Sequence, residues 1–319
     1  MRSVRQLNSV KSNTPPNMIP LIKLPVPLCA AVLVFGGCAG PQTDSEREAF
    51  ASLRHAFPEA KMHRLHDGVV YAVASTTAPT RVHILAIDLT QPDIVVRPVL
   101  GHDRVDGGAA ARETIVSMAR RTNAIALING DYFSDEMNVE ALTVADGHVL
   151  YAPDPPKRSS IVIGDDGAIR IGRFGRDLPP SARWQAVGGG PKLMEGGAFR
   201  WDSSIPQLIN GEDFPKVPPG RWDGRHPLTA YCETNRPKML LLVAIDGRRK
   251  DVSIGMNPWE LGQLLASLGC KEAMRMDGGG STGMTVNGKL KTLAPEGFPD
   301  GRPIGISLGV FRRQTHVSP

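Results

Sequence analysis

Short apolar runs separated by polar turns dominate the chain, and long helical stretches are scarce. Val69 to Ala74, Arg81 to Leu89 and Ile94 to Val99 have the alternating or continuous apolar character of strands. Residues 110 to 122, AARETIVSMARRT, instead place apolar side chains at helical spacing with charges opposite, and lead into an apolar strand, Ala124 to Ile128. Further strands are expected at 228 to 233, 239 to 245, Glu272 to Met276 and Gly305 to Phe311. Pro258 to Leu268 reads as a helix, with Asn257 as its N-cap and proline in the first turn. Residues 141 to 172 read as short strands and turns, 187 to 197 as a glycine-rich loop, and 200 to 224 as a long surface excursion that could frame a site. The pattern predicts an α+β domain, a single mixed sheet built from consecutive strands with helices packed on it.

The N-terminal stretch follows a different logic. Lys23 precedes an apolar run, Leu24 to Phe35, that ends in Gly36-Gly37-Cys38. The run is too short to span a bilayer comfortably and contains Pro25 and Pro27, so it reads as a secretory signal rather than an anchor. VFGGC is similar to a bacterial lipobox, with Phe35 where leucine is usual, and Cys38 would then carry lipid as the mature N-terminus. Residues 1 to 17 add nothing a signal peptide needs, so Met18 would serve as a start. The expected organisation is residues 1–37 as signal, 38–60 as tether and 61–319 as the domain. Residues 1 to 37 hold four basic residues and no acid, so removing them takes the net charge from +5 to +1. The basic pI of about 9.1 is therefore mostly a targeting feature, and nucleic acid is not an expected partner. A protein of this kind would sit at the cell envelope through its lipid, at the outer membrane facing the periplasm in a Gram-negative host. Cys232 and Cys270 would remain in the domain. They are either disulfide partners or two buried thiols, and spacing alone does not decide.

The chemistry concentrates in MRMDGGGSTGM, residues 274 to 284. Its glycines and serine match the spacings G-x-G-x-x-G and G-x-S-x-G, but both motifs need a helix directly afterwards. Here Met284 to Leu290 reads as two short strands around an Asn-Gly hairpin turn, so neither motif has its context. Three successive glycines cost order without packing return. They make sense if the backbone must approach a ligand and direct its N–H groups at an anion, with Ser281 and Thr282 adding hydroxyls. Asp277 at the head of such a cradle would assist the bond that breaks or the water that attacks. Asp246-Gly247 and Asp146-Gly147 read as plain turns. The eight histidines show no metal-ligand spacing, so no cofactor is expected and any metal is left unassigned, with Ca2+ on the Asp-Gly loops compatible with the sequence.

Taken together, AIALINGDYF, VAIDGRRK, RMDGGGSTGM and the closing RPIGISLGV resemble the phosphodiester glycosidase family over roughly Arg81 to Phe311. The resemblance implies a hydrolase acting on a sugar-1-phosphodiester of N-acetylhexosamine type, in an envelope or exopolysaccharide glycan. It places Asn129, Gly130 and Phe133 in one family block and Asp277 to Ser281 in another; on this reading Asp277 is the candidate catalytic carboxylate, with Asn129 and Asp131 orienting sugar or water. Substrate and phosphate contacts fall on Gly130, Gly189, Thr229, Gly278, Gly279, Gly280, Ser281, Thr282 and Arg302. One departure stands out: the family has His-Pro-Arg-Thr-Ala where this chain reads His226-Pro227-Leu228-Thr229-Ala230. Arg275 and Arg225 are the candidates to replace that arginine. A non-catalytic glycan-binding lipoprotein on the same scaffold is the alternative, because a lost phosphate ligand is what a decayed enzyme would show.

The leader generates a direct test. Cells fed labelled palmitate should incorporate it into the wild-type protein and not into Cys38→Ala, and equal labelling of both would refute lipidation at Cys38.

Overall fold

The computed structural model describes residues 44–104, 111–133, 139–175, 183–200, 208–209, 212–213 and 224–313. The leader, Cys38 and most of the 200 to 224 excursion lie outside the described residues. Three helices and twenty strands are assigned among those described. Helix α1 spans Asp44–Ala56. It is followed by β1 (Lys61–His66), β2 (Val69–Thr76), β3 (Thr80–Asp88) and β4 (Ile94–Leu100). Helix α2 (Ile115–Thr122) leads to β5 (Ala126–Asn129), β6 (Thr143–Ala145), β7 (His148–Tyr151), β8 (Ser159–Ile163) and β9 (Ile169–Arg173). Next come β10 (Gln185–Gly188), β11 (Lys192–Glu195), β12 (Ala198–Phe199), β13 (Leu208–Ile209) and β14 (Glu212–Asp213). The chain closes with β15 (Leu228–Thr234), β16 (Met239–Ile245), α3 (Pro258–Ser267), β17 (Cys270–Arg275), β18 (Met284–Val286), β19 (Lys289–Leu290) and β20 (Ile306–Arg312).

The fold is α+β, but one sheet of consecutive strands is the wrong topology. An eight-stranded sheet runs β1-β2-β3-β16-β15-β17-β11-β12, so β16 crosses over to pair with β3. A five-stranded sheet, β19-β18-β5-β20-β4, places the last long strand between β5 and β4. A second five-stranded sheet, β7-β6-β10-β8-β9, is drawn from the middle of the chain. Hairpin signals are local and visible in sequence, whereas these long-range pairings are chosen by which apolar faces can be covered together.

β16 shows how the layers form. Leu240, Leu242 and Ala244 join a core shared with residues of both smaller sheets, such as Ile128, Leu308, Ile161 and Val187. Leu241, Val243 and Ile245 point the other way, into a second core with Leu53 of α1 and Leu261 and Leu265 of α3. Successive strand residues face opposite sides, so a strand covered on both faces must be apolar throughout. Helix α2 covers the outer side of the smaller sheet with Ile115, Met118 and Ala119 against Leu127 and Phe311.

Several elements depart from expectation. Helix α1 lies within the stretch read as a tether yet packs on the domain: Leu53 is buried, and Glu46 accepts from the Gly68 amide at 2.8 Å. Helix α2 begins only at Ile115, because Thr114 caps it and Glu113 forms a bridge with Ile304. The glycine-rich stretch 187 to 197 is divided between β10 and β11. The Asn287-Gly288 turn does join β18 to β19, with both residues at positive φ. Helix α3 carries a capping box between Asn257 and Glu260. No described helix is long and apolar enough to cross a membrane.

Cys232 of β15 and Cys270 of β17 form a disulfide between neighbouring strands, closing a sequence separation of 38 residues. Replacing both by alanine should lower unfolding stability by about 2–4 kcal/mol, because the unfolded chain regains the freedom the loop removes. Urea titration of wild type and double variant measures this, and coincident transitions would contradict it.

Candidate active site

The ends of two sheets meet at Asn129, the last residue of β5. Its side-chain amide donates to the Asp277 carbonyl at 2.7 Å and accepts from Thr229 Oγ1 at 2.8 Å and the Gly283 N–H at 3.1 Å. Its backbone carbonyl accepts from the Tyr231 hydroxyl at 2.7 Å, and its N–H donates to Gly283 O at 3.0 Å. These bonds join β5 of one sheet to β15 of the other and to the loop that follows β17. Asn129 is 1% exposed, and its amide holds the two ends of the glycine loop rather than pointing at a ligand. Thr229 is equally buried and engaged, so neither residue has the substrate-facing place expected of it.

The glycine loop also differs from expectation. Residues 279–281 form a single 3-10 turn, and four amides of the stretch already have acceptors. Gly278 N–H donates to Asp277 Oδ1, Gly279 N–H to Pro227 O, Ser281 N–H to Gly278 O and Thr282 N–H to Gly279 O. An open nest of backbone donors is therefore not what the glycines provide. They provide close approach. A methyl built on Gly278 would meet Pro227 O at 3.0 Å, Arg275 Nη2 at 3.2 Å and Leu228 Cδ2 at 3.7 Å. One on Gly279, whose φ is +61°, would meet Arg248 Nη2 at 3.0 Å, and one on Gly280 would meet Arg302 Cδ at 3.6 Å. The missing side chains let three guanidinium groups close around the loop.

Asp277 stands at the centre of this cationic frame. Burial pushes its carboxyl above the usual range, while the Ser281 hydroxyl, the Gly278 amide and the charges of Arg275 and Arg302 pull it back. Arg302 is exposed and its guanidinium carbon lies 5.5 Å from the Phe133 ring centre, which limits where it can swing. Arg248 is exposed as well, whereas Arg275 is 8% exposed and lies beside Leu228. Arg225 is engaged elsewhere, donating to Gly255 O at 2.8 Å and pairing with Glu260 of α3. Of the two candidates to replace the arginine missing at 228, only Arg275 is at the loop.

A cavity of about 560 Å³ opens on the loop, with Gly279, Gly280, Thr282 and Arg248 on one side and Leu293 to Glu296 on another. Asp277 stands two residues upstream of this glycine wall. A larger depression, about 1120 Å³, lies near Arg97, Arg120 and Ile125 at the opposite end of β5. None of the loop glycines lines it, so size alone is a poor guide here. Among the described residues, no group of three or more His, Cys, Asp or Glu is placed to hold a metal ion.

Other expected residues have structural places. Gly189 packs where a methyl would meet Met276 Sδ at 2.7 Å, and Gly130 accepts from the Asp277 amide at 3.2 Å through its carbonyl. Sequence reading missed Arg248, and it treated Asp246 as a plain turn although its side chain is buried. The positive φ of 62° at Arg248 belongs to a turn whose shape no local pattern announces. Tyr132, next to the expected acid Asp131, lies within 3.1 Å of both Gly190 O and Met276 O.

Asp131 is buried and held by backbone amides. Its Oδ2 accepts from the Glu140 and Ala141 amides at 2.9 and 3.1 Å, and its Oδ1 from the Tyr132 amide at 2.8 Å. The carboxyl shapes the return of the chain into β6 rather than presenting itself to a substrate. Burial pushes its pKa up to about 7, against the pull of those amides and of Arg158. Between about pH 4 and 7 the folded protein thus keeps a proton that the unfolded chain has released, so this residue makes stability fall as pH rises. Asp131→Asn should remove a slope of up to roughly 1.4 kcal/mol per pH unit from that window. Urea unfolding at several pH values measures the difference, and parallel slopes for the two proteins would contradict it.

Comparison with known proteins agrees with this fold. The chain resembles a SPbeta prophage-derived uncharacterized protein, YomE, of Bacillus subtilis (strain 168), at 27% identity over 195 residues. That match covers 60% of this chain and spans only 29% of the relative's length. A hypothetical protein from Synechocystis superposes with a TM-score of 0.63 at 15% identity, over 80% of this chain and 64% of the other. The catalytic domain of zebrafish N-acetylglucosamine-1-phosphodiester alpha-N-acetylglucosaminidase superposes with a TM-score of 0.59 at 21% identity, over 80% of this chain and 83% of the other. The model of the phosphodiester glycosidase family matches residues 122–311, more than half of the chain, and the chain belongs to that family.

Proposed function

We propose that this protein hydrolyses a sugar-1-phosphodiester, breaking the bond between the anomeric carbon and the phosphate oxygen. The observation that carries the reading is a buried carboxylate, Asp277, under the charges of Arg275 and Arg302 and next to a glycine loop that lines a cavity together with Arg248. A phosphate leaves as a stable anion and needs little protonation. The demands on the site are then to hold that anion, to stabilise positive charge on the sugar ring and to activate water. Arg248, Arg275 and Arg302 are suited to the first task, because a guanidinium recognises phosphate with paired N–H donors. Asp277 is suited to the others, with burial holding its carboxyl above the usual range. The substrate class would be an N-acetylhexosamine-type phosphodiester in an envelope or exopolysaccharide glycan, reached by an exported, lipid-anchored protein.

Leu228 keeps the binding-protein reading alive, since it stands where the family has arginine. Arg275 argues for activity instead, because its guanidinium lies beside Leu228 against Gly278 and supplies a cation from the adjacent strand.

Asp277→Asn should fold and bind a sugar-1-phosphate while losing about 10²–10⁴-fold in turnover, since an amide is neither base nor counter-charge. Arg275→Leu should weaken binding, and adding Leu228→Arg should restore part of it. Release of free sugar from an N-acetylhexosamine-1-phosphodiester is the assay, with melting temperature in parallel. Undiminished turnover in folded Asp277→Asn would sink the catalytic assignment, and binding without turnover in wild type would favour the glycan-binding reading.

A further inference from the structure

Asp246 follows the last residue of β16 and lines the cavity, yet its side chain is 2% exposed. A buried polar row leads away from it across the large sheet. His83 of β3 places Nε2 at 3.0 Å from Asp246 Oδ2, and Tyr71 of β2 places its hydroxyl at 2.8 Å from His83 Nδ1. His83 and Tyr71 are themselves nearly inaccessible, at 2% and 6% exposure. The chemistry fixes the inner bond of this row. A carboxylate only accepts, so His83 Nε2 carries a proton and donates to Asp246. Burial and the Asp246 charge push the Tyr71 pKa up to about 12, which keeps that hydroxyl protonated. The flanking charges are Arg81, 3.8 Å from Asp246 Oδ2, and Lys291, 5.9 Å from the Tyr71 ring centre.

What the row holds at its inner end is the cavity itself. Asp246 Oδ1 accepts from the Leu293 amide at 2.7 Å, and Leu293 begins the wall that runs to Glu296. The Asp246 carbonyl accepts from Ser253 Oγ at 2.7 Å, and Ser253 Oγ accepts from the Arg81 amide at 2.9 Å. This braces the turn from which Arg248, two residues after Asp246, reaches Gly279. Both oxygens of Asp246 already accept hydrogen bonds, Oδ1 from the Leu293 amide and Oδ2 from His83, so its contribution is geometric.

We propose that His83 is a positioning residue for the site. Bridging Tyr71 to Asp246, it sets the spacing between the Leu293–Glu296 wall and the Arg248–Gly279 wall, and so the width available to the phosphate and the group beyond it. The inference rests on the reading that this cavity receives the phosphate side of a sugar-1-phosphodiester.

The test compares His83→Leu with His83→Gln in the full chain. Glutamine offers one acceptor and one donor and can rebuild the bridge, whereas leucine cannot. Amide hydrogen exchange over residues 290 to 296 is measured alongside KM and kcat. His83→Leu should speed exchange at Leu293 by about tenfold. It should raise KM by about tenfold while kcat stays within about twofold, and His83→Gln should return both values toward wild type. Wild-type exchange at Leu293 in His83→Leu, or equal defects in the two variants, would overturn the proposal. If His83→Leu does not fold, Tyr71→Phe breaks only the outer bond, and unchanged exchange there would overturn it equally. Absent turnover in wild type would remove the hydrolase reading, while the exchange data still decide whether His83 positions the wall.

Discussion

The side-chain amide of Asn129 is the constraint on which the site depends. Two sheets that share a core have no continuous backbone ladder between them, so at the rim their relative position is held by side chains together with single backbone bonds such as Asp277 N–H to Gly130 O. Asn129 does this with one donor and one acceptor group, joining β5 to the Asp277 carbonyl, to Thr229 and to the Gly283 amide. Two of these bonds are buried and the one to Asp277 is partly so, and an unmatched buried polar group costs about 1–3 kcal/mol. Any shift between the sheets would break several at once, so the loop carrying Asp277 inherits the rigidity of both. Tyr231 adds a further bond to the same residue from the middle of the large sheet.

Given that anchor, the glycines acquire a different meaning from the one their number suggests. The Gly278 and Gly279 amides are already bonded, to Asp277 Oδ1 and Pro227 O, and what the missing side chains allow is the approach of Arg248, Arg275 and Arg302. A cluster of cations repels itself, and Asp277 inside it relieves part of that repulsion. The carboxylate and the arginines are therefore interdependent before any ligand arrives. An anionic ligand could take over part of the role that Asp277 plays toward the arginines, leaving the carboxylate freer to exchange a proton.

Much of this was legible in the residues, and the limits have physical causes. Apolar runs with turn residues between them located β2, β3, β4, β16 and β20, and Asn257 with proline after it located α3. Asp277 was visible because three glycines after an acid have no ordinary structural purpose. The partners of the loop were not visible. Arg248 and Arg302 look like any surface arginine, and Asp246-Gly247 looks like a turn, because their significance comes from strands paired over 100 residues apart in the chain. Asn129 and Asp131 were singled out, but what their hydrogen bonds hold was not visible. Asn129 bonds the Asp277 carbonyl, Thr229 and the Gly283 amide, and Asp131 bonds three backbone amides, which sequence cannot show.

The most direct measurement of the central claim is a structure of the protein with a bound sugar-1-phosphate. The account predicts phosphate oxygens within hydrogen-bonding distance of guanidinium groups from Arg248, Arg275 or Arg302, with the anomeric carbon facing Asp277 and the loop amides still bonded internally. Phosphate held by the amides of Gly278 to Thr282 after they abandon their present acceptors, or bound in the distant depression near Arg97 and Arg120, would contradict it.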